Sequence, residues 1–121
     1  MATNVERMMA RLEEFPIPYD FDYSGLVDAP YALPPPNRGI STVRDRLFAG
    51  PCQTTGQLDA LFARFREIKP QISPMYDSLP DFDPAGKKKA LAYLDQFYRT
   101  IDRPADVKTN IIDHCLPHGF N

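Results

Sequence analysis

The chain has no tryptophan and only two cysteines and two histidines among its 121 residues. Two cysteines cannot form the multi-bridge framework of a secreted mini-protein. Free thiols in a reducing compartment are therefore the simpler expectation, with one Cys52–Cys115 bridge left open geometrically. No apolar run approaches the roughly 20 residues that a membrane helix needs. The apolar stretch near the N-terminus holds Glu6 and Arg7, so it lacks a secretory core. Basic residues never gather into the concentrated face that phosphate backbones require. These absences predict a soluble, cytoplasmic protein with neither membrane nor nucleic acid as partner.

Glycine is also scarce and scattered. Gly39, Gly50, Gly56 and Gly86 form no phosphate-cradling loop. No strand and helix alternation suggests a doubly wound nucleotide fold, and no carboxylate pair has a separation that spacing fixes.

What is present is enough for one core. The chain is 43% hydrophobic, with eight Phe and six Tyr, and 25% charged with a net charge of −2. That composition places residues 1–121 in a single folded domain. The charge is uneven: residues 13–32 carry Glu13, Glu14, Asp20, Asp22 and Asp28 with no Lys or Arg, so an acidic stretch precedes a mildly basic body.

Helix signals recur along the chain. Thr3 and Glu6 have capping-box spacing, and Val5, Met8, Met9 and Leu12 then share one face until Pro16 and Pro18 stop the helix. Ser41 or Thr42 can cap a short helix to about Phe48. Thr54 with Gln57 opens the clearest one, with its stripe of Leu58, Leu61, Phe62, Phe65 and Ile68. Ile72, Met75, Tyr76 and Leu79 keep helical spacing past Pro70 and Pro74, which predicts a kinked continuation or a second helix from Pro70. Asp83 and Pro84 start another helix, striped by Ala90, Leu91, Leu94, Phe97, Tyr98 and Ile101. Arg103 and Pro104 start the last, in which Val107, Ile111 and Cys115 lie a turn apart. The fold class read from this order is all-α: an up-and-down bundle of four to five helices, body 41–121, preceded by a long proline-rich extended arm over 15–40.

The arm is the most unusual stretch. Phe15, Ile17, Tyr19, Phe21 and Tyr23 occupy alternate positions between Pro16, Pro18, Asp20 and Asp22. Period two predicts an extended chain with one apolar and one acidic face, followed by a short turn around Ser24 to Ala29. Together the five side chains offer roughly 700 Å² of apolar surface. Either the protein's own helices cover them, making the arm a strap worth on the order of 10 kcal/mol before ordering costs, or a partner does.

Three constellations carry possible chemistry. His114, Cys115 and His118 are transition-metal ligand types, with the histidines four apart, although Pro117 interrupts the helix that would align them. The alternative is a solvent-facing C-terminus with Cys115 in the core stripe. Cys52 lies just before the cap Thr54, where a helix dipole can activate a thiol; the alternative is a small buried residue at a turn. Lys87, Lys88 and Lys89 oppose the dipole of their helix and suit a solvated face, an acidic partner or the acidic arm.

The function these features support is a non-catalytic interaction module. It would bind a partner protein, or a second copy of itself, through Phe15, Ile17, Tyr19, Phe21, Tyr23 and Tyr31 and an adjoining helix face, with no cofactor. A small enzyme using a thiol or a transition metal such as zinc at His114, Cys115 and His118 is the second reading. A ligand carrier with a pocket lined by Phe62, Phe65, Tyr76, Phe97 and Tyr98 is the third.

Overall fold

Among the described residues, regular structure begins at Thr54. Its hydroxyl accepts from the Gln57 amide at 3.2 Å, and the Gln57 side chain accepts from the Thr54 amide at 2.8 Å, so two free helix donors are satisfied reciprocally. The computed structural model describes residues 20–117. It contains helix α1 (Thr55–Asp77), helix α2 (Pro84–Ile101), the short helix α3 (Pro104–Asn110) and a 3-10 turn at Ile112–His114. The described part is helical, with no strand beyond an isolated bridge between Pro51 and Leu116.

Three of the expected helices are present among the described residues. The helix read from Thr3 lies outside the described residues. The one read from Ser41 to Phe48 does not form. There the Asp45 carboxylate accepts from the Ser41 and Thr42 amides at 2.8 and 2.9 Å, which closes a tight turn in place of a helical one. Residues 20–54 thus hold no helix.

Helix α1 continues through Pro70 and Pro74 for 23 residues, so of the two expected arrangements it is the continuation, and not a second helix from Pro70, that forms. Neither proline has an amide to offer the carbonyl four residues earlier. Both prolines are exposed, and the packed stripe on the opposite face holds the helix together. In α2, Asp83 accepts from the amides of Ala85 and Gly86, and Pro84 sits at the first position, as the sequence predicts. The last helix ends at Asn110, well before Cys115, where Ile111 passes the chain into the 3-10 turn and the backbone becomes extended at Cys115.

The core lies where α1 begins and α2 ends, so the two helices are antiparallel. Leu58 and Phe62 of α1 meet Tyr98 and Ile101 of α2 and Val107 of α3, and Phe65, Ile72, Phe97 and Ile111 pack around them. Phe65 and Phe97 meet edge to face at 4.9 Å. The buried Tyr98 ring keeps its hydroxyl bonded to the Phe65 carbonyl at 2.8 Å. Arg66 reaches across to the end of α2, contacting Asp102 at 2.9 Å and the Ile101 carbonyl at 3.1 Å, a favourable site for a cation at a helix C-terminus.

The expectation of free thiols is overturned: Cys52 and Cys115 form a disulfide, their Cα atoms 4.8 Å apart. Backbone bonds flank it. The Leu116 amide donates to Gly50 at 2.8 Å and the Cys52 amide to Leu116 at 3.2 Å. The entry to α1 is thereby sewn to the segment that follows α3.

Candidate functional site

The helix-free segment is fastened to α2 at Tyr93. The guanidinium carbons of Arg44 and Arg46 lie 4.4 and 3.8 Å from the centre of that ring. Arg46 also donates to the Tyr93 carbonyl and to Gln96. Desolvation lowers its pKa, an effect the neighbouring Arg44 adds to. Arg44 donates to the Gly25 carbonyl at 3.2 Å and pairs with Asp28 at 3.5 Å. Sequence reasoning missed this clamp. Its signal was the two-residue spacing of Arg44 and Arg46, which puts both on one side of a non-helical chain.

Upstream of the clamp the chain turns where the alternation predicts a straight strip. Asp20 has φ 60°, Ser24 donates to Phe21 at 2.9 Å, and Val27 and Asp28 donate back to Ser24. The turn expected around Ser24 to Ala29 is present, but it begins earlier, at Phe21. Phe15, Ile17 and Tyr19 lie outside the described residues. Phe21, Tyr23 and Tyr31 are 60%, 57% and 61% exposed, so the protein's own described elements do not cover them, and the strap reading fails for the two of them it included, Phe21 and Tyr23.

Two of those exposed rings are nevertheless ordered. Tyr23 and Tyr31 pack edge to face with centres 6.0 Å apart, and the Tyr31 hydroxyl donates to Asp22 at 3.1 Å. The bond to the Asp22 carboxylate raises the Tyr31 pKa. Asp20 is raised by sharing a hydrogen bond with Asp22, whose own pKa falls for the same reason. The result is an acidic aromatic corner.

Beside it lies an apolar groove of about 590 Å³ lined by Leu26, Ile72, Met75, Tyr76, Leu79 and Leu94. This is the helix face adjoining the arm. A smaller hollow of about 310 Å³ shares Leu26 and Tyr76 with it and adds Arg44 and Lys89.

The other sequence candidates do not assemble. His114 is exposed at the end of the 3-10 turn, and His118 lies outside the described residues. The disulfide removes the Cys115 sulfur as a metal ligand and Cys52 as a nucleophile. Among the described residues no group of three His, Cys, Asp or Glu is placed to hold a metal. Phe62 and Tyr98 are buried core, with Phe65 and Phe97 packed on them, and the rings of the proposed carrier pocket share no one cavity: Tyr76 lines the groove, while Tyr98 and Phe62 border two separate smaller hollows. Among the described residues Lys87 pairs with Asp77 of α1. No described helix is long and apolar enough to cross a membrane. No family model, curated protein or solved structure matches this chain.

Proposed function

We propose that this protein is an interaction module whose acidic aromatic corner docks on a partner protein with a basic-rimmed apolar surface. The ordered but uncovered Tyr23–Tyr31 pair carries the reading. Large rings already fixed by a partner ring and a hydrogen bond lose little freedom on binding, which is what makes tyrosine an effective anchor at protein interfaces. Asp20 and Asp22 set the charge of the rim and so the sign of the partner. Asp28 contributes less, being neutralised by Arg44.

A photo-crosslinker in place of Leu33, which is 75% exposed on the same segment, tests this in cells of the source organism. The expected product is one protein whose crosslinked peptide is rich in Lys or Arg. That protein, purified, should bind the intact chain in a salt-sensitive manner and lose at least about tenfold in affinity on replacing Tyr23 and Tyr31 together by Ser. Crosslinks only between copies of this chain would recast the corner as a homo-oligomer interface. No specific product, or unchanged affinity of the double variant, would overturn the reading.

A further inference from the structure

The run Pro34-Pro35-Pro36 belongs neither to the core nor to the aromatic corner, and covalent chemistry dictates its shape. Each proline ring fixes its own φ, and a residue that precedes a proline is driven out of helical geometry into an extended one. Leu33, Pro34 and Pro35 all precede a proline, so Leu33–Pro36 is held as a short polyproline helix before anything binds it. Residues 32–35 accordingly take no helix or strand, and the chain leaves this course beyond Pro36, at Asn37 (φ 62°) and Gly39 (φ 70°). Three residues per turn put Leu33 and Pro36 on one edge. Leu33 is 75% exposed, the highest value of any large apolar side chain among the described residues, and Pro35 and Pro36 are exposed with it.

We propose that Leu33–Pro36 and Arg38 form a docking peptide for a proline-reading protein domain, one whose groove is lined by aromatic side chains and rimmed by acidic ones. Three observations single out this partner. The first is the missing donors. Three consecutive residues without an amide hydrogen cannot pair along a sheet edge, which removes strand addition as a mode of binding. The second is the free acceptors. Among the described residues the carbonyls of Leu33, Pro34, Pro35 and Pro36 accept no backbone hydrogen bond, so they are open to the indole and phenol donors that an aromatic groove presents between its apolar slots. The third is charge. Arg38 is exposed and makes no ion pair among the described residues, which sets the sign of the rim. A preset backbone also spares the partner the cost of ordering the chain. The acidic corner calls for a basic rim and this peptide for an acidic one, so the inference does not rest on what binds the corner.

The intact chain, titrated with a panel of purified SH3 and WW domains of acidic and neutral rim and followed by its backbone amide resonances, provides the test. At least one acidic-rimmed domain should bind and shift the Leu33, Asn37 and Arg38 amides, while those of α1 and α2 around Phe62 and Tyr98 stay in place. Pro35→Ala with Pro36→Ala should weaken that binding at least about tenfold by releasing the preset backbone. Leu33→Ala should weaken it several-fold with all three prolines kept, and Arg38→Glu should both weaken it and remove its salt dependence. Because these side chains are exposed, the thermal midpoint should not move in any of the variants. No binding by any acidic-rimmed domain, or binding that the proline and Leu33 variants leave unchanged, would overturn the proposal. Affinity kept in the proline variant but lost on replacing Tyr23 and Tyr31 by Ser would overturn it as well, by giving the contact to the corner.

Discussion

At Gly25 the backbone of the helix-free segment lies close to α2. A Cβ at this position would overlap the Tyr93 hydroxyl and the Val43 carbonyl, and the second of these is backbone that cannot swing aside. Gly25→Ala should therefore push the segment off Tyr93 and loosen the Arg44 and Arg46 clamp, costing about 1–3 kcal/mol in urea unfolding. Unchanged stability would show that the clamp does not depend on this approach. The Tyr31 phenol has a distinct signature. Its pKa in the folded chain is raised above the ordinary 10.0, so the bond to Asp22 contributes fully below that value and is lost as pH rises through the higher folded value. In a spectrophotometric titration Tyr31→Phe should remove one late-titrating tyrosine; the buried Tyr98, also raised, remains late in both proteins. The acid side follows from Asp20. Because its pKa is raised above 3.8, it takes up a proton earlier than an ordinary carboxylate as pH falls. Affinity for a basic partner should weaken from that point downward, and partner titrations against pH would read this directly.

Local chemistry made some elements legible in the sequence and left others hidden. The caps at Thr54 and Asp83 depend on residues three positions apart, and both form as the sequence predicts. The stripe of Leu58, Phe62 and Phe65 and that of Phe97, Tyr98 and Ile101 meet in one core because a helix repeat needs only spacing to be read. The run from Ser41 to Phe48 misled because Asp45 satisfies the amides of Ser41 and Thr42 from outside a helix, and nothing in the spacing says which arrangement wins. The alternation from Phe15 to Tyr23 likewise carried no sign that Asp20 adopts a positive φ and that the chain turns at Phe21. The aromatic corner was half visible: Phe21, Tyr23 and Tyr31 were legible as candidate partner-binding aromatics, while their exposure and the Tyr23 and Tyr31 contact follow from the turn between them. Continuity of α1 through two prolines has a measurable cost. A proline inside a helix is about 3 kcal/mol less favourable than alanine, and both residues face solvent. Pro74→Ala should thus stabilise the protein by about 1–3 kcal/mol in thermal or urea unfolding and leave the core contacts unchanged. A destabilised variant would mean that the proline shapes α1 for its packing against α2.

At the scale of the whole molecule, the core among the described residues is small. Leu58, Phe62, Tyr98, Ile101 and Val107 form its buried cluster, and each such side chain stabilises the fold by only about 1.5–3 kcal/mol relative to exposure. A fold with so few buried residues depends on a covalent tie more than a larger domain does. The bond between Cys52 and Cys115 closes a loop with a sequence separation of 63 that encloses α1, α2 and α3. For a loop of that length the loss of unfolded-chain freedom contributes about 4 kcal/mol. The pairing was not legible in the sequence, because it needs the N-terminus of α1 and the segment after α3 to meet, and only the tertiary packing of Val107 and Ile111 brings them together. Replacing both cysteines by Ser, or adding a phosphine reductant, should lower the unfolding free energy by about 3–4 kcal/mol and shift the thermal midpoint down by well over 10 °C. Hydrogen exchange would separate a local effect from a global one. The amides of Cys52 and Leu116, which bond across the Pro51–Leu116 bridge, should lose protection first, while those of α1 and α2 around Phe62 and Tyr98 keep theirs until the chain unfolds as a whole. A thermal midpoint that ignores reductant would mean that the helices hold together without the bridge, and that the packing of α1 against α2 contributes more than its few buried residues suggest.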